Sequence, residues 1–290
     1  MTSENILEKV KKLRELTGVG FKDCKGALEE SNGDIEKSIE FLRKKGIAKA
    51  NKKMERVAAD GLVCIYEKNN NISMVELNCE TDFVAKNKNF ISFAEEISEI
   101  NFKCLGKIND IQNYEMKNKK KVKDSIVDLI SKIGEKITLR RSTYIGAEKS
   151  SNFFYVHSSL KENVGKLGVL LSLEVDDKNK AEFNDFGKKL TMQIAASSPL
   201  SVDRDGLDKK IIEKEKELIT EELKNTGKDS KIINKIAEGK LNKFINDNSL
   251  LNQEWIMDPK KKVKDILKEV QGKNKIKINN FFRFKVGEGL

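Results

Sequence analysis

The sequence is short of the residues from which active centres are usually assembled. Its 290 residues contain one histidine, His157, and one tryptophan, Trp255. The four cysteines, Cys24, Cys64, Cys79 and Cys104, are scattered with no C-x-x-C pair. A zinc site takes about four well-placed Cys or His ligands, so no metal and no cofactor are expected. The cysteines read instead as small, reduced core residues. No apolar run approaches the ~18 residues of a membrane helix, and the opening Met1-Thr2-Ser3-Glu4-Asn5 lacks the basic segment of a signal peptide. The expectation is a cytoplasmic chain that engages no membrane.

Arginine and aromatic residues are also scarce. Of 56 basic residues only Arg14, Arg43, Arg56, Arg140, Arg141, Arg204 and Arg283 are arginine, and aromatics make up 7%. The net charge of +10 invites a nucleic-acid reading, but arginine is the residue that reads guanine and stacks on bases. The lysines are interleaved with 46 acidic residues, and no specific nucleic acid is expected. The densest runs, Lys117-Asn118-Lys119-Lys120-Lys121 and Lys260-Lys261-Lys262, are expected on helices as solvated faces. Such faces can speed the encounter with an acidic partner. No G-x-x-x-x-G-K-[ST] occurs, and Gly18-x-Gly20 lacks the third glycine and preceding strand of a dinucleotide site.

What is present is clear periodicity. Ile6, Val10 and Leu13 repeat at helical spacing behind the potential cap Ser3, up to a break at Thr17-Gly18-Val19-Gly20. A second helix is expected to bury Phe21, Cys24, Ala27 and Leu28. A third, capped by Asp34, carries Ile35, Ile39 and Leu42 on one face and closes at Gly46. Residues 47–58 read as a linker, itself helical. From Gly61 the period falls to two. Val63 and Ile65, a turn at Asn69-Asn70-Asn71, then Val75, Leu77 and Cys79 spell a β-hairpin. Helices follow over Phe90–Ile97 and about Asp110–Ile133, then strands over Ile137–Ile145, Phe153–Ser158 and Gly165–Glu174. A helix from about Lys180 to Ala196 places Phe183, Phe186, Leu190 and Ile194 on one side. Two charged helices, Leu207–Leu223 and one containing Ile232, Ile236 and Leu241, flank the break Asn225-Thr226-Gly227 as an arm. A helix at Val263–Val270 and a strand at Ile276–Val286 finish the chain. The fold class is therefore α+β: a three-helix head and two related α+β subdomains with an inserted helical hairpin. The expected divisions are 1–46 for the head, 47–58 for the linker, 59–136 and 137–290 for the subdomains, with the arm at about 206–243 and a C-terminal module at about 260–290.

Several runs, in fixed order, resemble the elongation factor Ts family. They are Leu13-Arg14-Glu15-Leu16-Thr17-Gly18-Val19-Gly20-Phe21-Lys22-Asp23-Cys24-Lys25, Asn32-Gly33-Asp34-Ile35, Arg43-Lys44-Lys45-Gly46 and Ala58-Ala59-Asp60-Gly61. The most diagnostic is Glu76-Leu77-Asn78-Cys79-Glu80-Thr81-Asp82-Phe83-Val84-Ala85. Gln193-Ile194-Ala195-Ala196-Ser197, Pro259 with Val263, and Phe284-Lys285-Val286-Gly287-Glu288-Gly289 complete the set. The resemblance implies a UBA-like head and a non-enzymatic guanine nucleotide exchange factor that binds elongation factor Tu carrying GDP and promotes GDP release. It also implies that Thr81, Asp82, Phe83 and Val84 displace the partner's magnesium ion, with Val19, Phe21 and His157 as secondary contacts. By local pattern alone, Asp82 is a first-turn helix residue and Phe83 a core side chain. The sequence departs from the family at Ser158-Ser159-Leu160, where a Gly-rich turn is usual, and at Lys166, where arginine is expected. Trp255 replaces a more usual phenylalanine, and with the sequence ending at Leu290 the longer C-terminal helix that the resemblance implies is expected to be missing. A homodimer through the arm stays open, as does a basic RNA- or ribosome-binding protein without exchange activity.

Overall fold

The computed structural model describes residues 3–148, 150–175, 183–224, 230–272 and 275–290. The head consists of α1 (Ser3–Thr17), α2 (Phe21–Glu30) and α3 (Ile35–Lys53). Gly18, at φ +67°, turns the chain out of α1. Asp34 caps α3 by accepting the Lys37 amide at 3.0 Å. Val10, Leu13, Cys24, Ala27, Leu28 and Leu42 form the core of the head. Two residues expected inside lie outside: Phe21 is 44% exposed and Ile39 37%. The core of so small a bundle is already closed, and half-buried Val19 packs against it beside Phe21.

Gly46 does not close α3, which runs on through the expected linker to Lys53. A Cβ at Gly46 would stand 2.5 Å from Ser131 Oγ, so the glycine serves the close approach of a neighbouring helix. That neighbour is α7 (Val122–Ile133). The helix expected from Asp110 to Ile133 is in fact two, α6 (Ile108–Asn113) and α7. Between them Glu115 bridges Lys121, and Lys119 adopts φ +60°. The lysine run at 117–121 is thus a turn. Buried Met116 pins it, and Asn118 supplies its bonds, accepting the Lys120 amide at 3.0 Å and donating to Ser125 Oγ at 3.1 Å.

The body is layered helix, sheet, sheet, helix. β1 (Asp60–Lys68) and β2 (Asn71–Cys79) form the hairpin, with Lys68 opposite Asn71. Asn69 and Asn70 take φ +53° and +63°, as a two-residue hairpin turn requires. β3 (Thr138–Ile145) and β5 (Val164–Gly165) complete a sheet of order β3-β2-β1-β5. β3, which follows the expected division at 137, pairs by hydrogen bonding with β2 in the first sheet. β4 (Ser150–His157), β6 (Leu167–Val175) and β9 (Ile276–Lys285) make the second sheet, order β4-β6-β9.

Leu62, Cys64, Val75 and Leu77 lie under α5 (Lys88–Lys103) and α7. Val63, Ile65, Ile72 and Met74, on the opposite face, meet Leu170 and Phe284 of the second sheet. A Cβ on Gly168 would stand 2.6 Å from Met74 Sδ, so this glycine lets the sheets close together. Val169, Leu171 and Leu173 face α8 (Asn184–Ser197).

Beyond α8, α9 (Lys209–Lys224) and α10 (Ser230–Asp247) pack on each other as the arm. The break expected at Asn225-Thr226-Gly227 and the start of the helix expected from Lys180 lie outside the described residues. Lys260, Lys261 and Lys262 fall on β8 (Asp258–Lys262), which pairs with β7 (Glu254–Trp255), rather than on a helix. α11 (Val263–Gln271) begins only after them.

One buried carboxylate locks the C-terminal run to the first sheet. Glu76 has no solvent exposure. It accepts from Arg140 Nη1 at 3.0 Å, Arg141 Nε at 2.5 Å, Asn78 Nδ2 at 3.1 Å and the Gly287 amide at 3.1 Å. Four donors meet the requirement that a buried charge be fully paired. Gly287, at φ +75°, approaches Ala59 so closely that a Cβ would lie 2.2 Å from its carbonyl oxygen. Among the described residues no helix is long and apolar enough to cross a membrane.

Candidate functional site

The segment Thr81–Val84 sits where β2 hands over to the one-turn helix α4 (Asp82–Ala85). Thr81 is the N-cap, its Oγ1 accepting the Val84 amide at 3.5 Å. Val84 and Ala85 turn inward to the core, and Asp82 lies in the first turn. Phe83 points the other way and is 81% exposed. A phenylalanine so placed is unusual, since its ring normally joins the core.

The base of this turn is tied down from three sides. Glu135, just after α7, accepts the Glu80 amide at 3.1 Å, the Thr81 amide at 3.0 Å and the Thr81 hydroxyl at 2.7 Å. Glu80 reciprocates by accepting the Lys136 amide at 2.6 Å, and it pairs with Arg56 at 3.2 Å. Burial pushes the Glu80 carboxyl up, but the Lys136 amide and Arg56 outweigh it and hold the group below the usual glutamate value. From beneath, the Cys79 thiol donates to the Thr81 carbonyl at 3.2 Å. Burial pushes that thiol up to about 12, so it stays protonated and acts as a donor rather than a nucleophile.

Asp82 is bonded to Lys86 one turn on, at 2.8 Å. That bond, aided by the charges of Lys86 and Lys166, holds its carboxyl below the usual aspartate range. Lys166 itself bonds Asp60 and donates to the Gly61 carbonyl at 2.9 Å. Lys166 therefore ties the turn before β6 to β1. Beside Phe83 runs an open groove of about 700 Å³, lined in part by Gly18, Asn87, Leu129 and Lys132. It brings the α1–α2 turn of the head alongside the exposed ring.

The secondary candidates are dispersed. Val19 is half-buried and lines an adjoining groove that shares Lys132. Phe21 is exposed at the start of α2. His157 ends β4, exposed, with Nδ1 2.9 Å from Tyr155 Oη. Of the tie residues, Glu135 and Lys136 carry no sequence signal, while Glu80 lies in the motif run and Arg56 before it without either marking a tie. Only Lys86 left a local signal, four residues from Asp82 on a helix.

A family model described as Elongation factor TS matches residues 80–288, from the residue before Thr81 to Glu288 in the Gly-Glu-Gly run. The elongation factor Ts of Methylobacterium nodulans is 40% identical over 284 residues, covering 97% of this chain and 92% of that protein. The chain belongs to the elongation factor Ts family. The protein of that name from Methylorubrum extorquens is 40% identical over 285 residues, and that from Bartonella quintana 39% over 284, at the same two coverages. The family match contains the whole turn and Glu135, while the head is covered by the full-length relatives.

Proposed function

We propose that this chain, like the elongation factor Ts proteins it resembles, is a guanine nucleotide exchange factor for elongation factor Tu, acting in the cytoplasm. The supporting observation is an aromatic ring, 81% exposed, on a turn whose base is hydrogen-bonded on three sides. Burying such a ring in a partner pocket contributes about 1.5–3 kcal/mol. Asp82, ionised and beside it, can compete for donors around the partner's magnesium ion or repel its carboxylate ligands. Thr81 and Val84 hold the two ends of the device.

The activity is coupling rather than bond-making. A protein that favours the nucleotide-free partner weakens nucleotide affinity by the factor by which nucleotide weakens its own. Loss of the magnesium ion leaves phosphate charge uncompensated, which makes it the effective target. Val19, Phe21 and His157 are proposed as outlying contacts, the head as a UBA-like unit, and residues 59–290 as two related subdomains. The exposed Ile211, Leu218 and Ile232 of the arm would supply a homodimer contact, which sedimentation of the purified protein would detect.

Release of fluorescent GDP from elongation factor Tu tests the reading. The intact chain accelerates release, and Phe83→Ala and Asp82→Ala each lose most of it. For Phe83→Ala the expected loss is ~30-fold, the cost of truncating an aromatic anchor worth about 2 kcal/mol. Equal release with all three proteins removes the mechanism. Salt-sensitive RNA binding with no effect on release would favour the RNA-binding alternative.

A further inference from the structure

We propose that Glu135 is a positioning residue for exchange: its carboxylate sets the entry of the Thr81–Val84 turn and so the direction in which Phe83 is presented. The inference rests on the exchange reading above. It is carried by a geometry that the turn cannot supply for itself. α4 is a single turn of four residues, too short to hold a fixed direction by its own hydrogen bonds. Glu135 Oε2 collects two consecutive amides, Glu80 at 3.1 Å and Thr81 at 3.0 Å, while Oε1 takes the Thr81 hydroxyl at 2.7 Å. That third bond orients the hydroxyl so that its lone pairs face the Val84 amide, one residue beyond Phe83. A carboxylate with two oxygens at fixed spacing thus determines the backbone before the ring and the cap that follows it.

The same clamp receives the end of the head. Lys53 bonds the Gly134 carbonyl, next to Glu135. Lys136 Nζ donates to the carbonyls of Met54 at 2.7 Å and Arg56 at 2.8 Å, and Arg56 pairs with Glu80. Gly134 makes the meeting possible by closing α7 at φ +87°. The head and the exposed ring are therefore referenced to one short segment, 134–136. A partner gripped by the head meets Phe83 at a set position. Without Glu135 the partner is still gripped, but the ring is correctly aimed for only part of the time.

That distinction gives the test. GDP release is measured at increasing concentrations of the full chain for wild type, Glu135→Ala, Glu135→Gln, Phe83→Ala and the double variant Phe83→Ala/Glu135→Ala. Glu135→Ala should lower the maximal release rate about tenfold, in line with the loss of bonds to a charged acceptor. The half-saturating concentration should stay within about twofold, because the other contacts persist. Glu135→Gln should recover most of the rate. Its carbonyl can take both amides and its NH₂ can donate to the Thr81 hydroxyl, so the frame survives without the charge. The double variant should be no slower than Phe83→Ala alone. Hydrogen exchange at the Glu80 and Thr81 amides should quicken in Glu135→Ala and not in Glu135→Gln.

An unchanged maximal rate in Glu135→Ala, with Phe83→Ala impaired, overturns the proposal, even if the melting temperature falls. A Gln variant as slow as the Ala variant overturns it too, since charge and not the hydrogen-bond frame would then matter. If Phe83→Ala itself keeps full activity, the exchange reading has failed. The amide-exchange result would then report on the clamp separately.

Discussion

Phe83 and Phe186 stand at comparable places, each within the first turn of the helix that follows a long strand of its sheet. Phe186 opens α8, is 4% exposed, and stacks on Trp255 with ring centroids 6.2 Å apart. Phe83 opens α4 and is 81% exposed. Both are large apolar rings, so hydrophobicity does not separate them. The length of the helix does. α8 has fourteen residues and carries Leu190 and Ile194 on the face of Phe186, so the ring belongs to a stripe that must be buried. α4 ends after four residues, and Val84 and Ala85 already satisfy the core beneath it. The comparison teaches that a ring can be withheld from the core when the element carrying it is one turn long and fixed by polar ties.

The contrast can be broken by substitution. Phe186→Ala should cost about 3–5 kcal/mol, a buried aromatic lost from a packed core, read as a fall in the denaturant midpoint, while GDP release per folded molecule stays near wild type. Phe83→Ala should do the reverse, leaving stability within about 0.5 kcal/mol while release collapses. Equal destabilisation by both would mean that Phe83 is a core residue and the comparison is false. Glu76→Ala sharpens the point that ties can be structural alone. It strands Arg140 and Arg141 and should cost about 3 kcal/mol or more, measured by denaturation, with no selective effect on exchange.

Smaller effects concern pH. The Glu80 carboxyl titrates below its ordinary value. A depressed folded value means that its contribution is complete above the unfolded value of about 4.3 and is lost as pH falls through the folded value. The stability gap between wild type and Glu80→Gln should therefore be widest near neutrality and shrink below about pH 4. The smallest effect is at Asp82. Lys86→Ala should let its carboxyl titrate closer to the ordinary aspartate range, seen by NMR, with no measurable change in melting temperature, because the pair is exposed.

Local features were legible in the sequence. The Asn69-Asn70 turn, the cap at Asp34 and the period-two strands all follow from residue chemistry acting over a few positions. Features set by distant contacts were not. Gly46 reads as a helix stop, yet its missing side chain answers to Ser131 on another helix. The lysine run at 117–121 reads as a helical face, yet a buried Met116 and the Asn118 side chain fold it into a turn. β3 gives no local sign that it pairs backward with β2. At the candidate site the Thr81–Val84 motif was visible through resemblance, and its exposed ring contradicts the core placement that local pattern gives. Glu135 was invisible, because a carboxylate that serves amides 54 and 55 positions earlier leaves no periodicity to read.

The most direct test places a photoreactive benzophenone at position 83 and maps its cross-links in the complex with nucleotide-free elongation factor Tu. The account predicts cross-links to the residues around the partner's magnesium and phosphate site, suppressed by excess GDP and magnesium. Cross-links to a remote surface of the partner, or back onto this chain's own core, would contradict it.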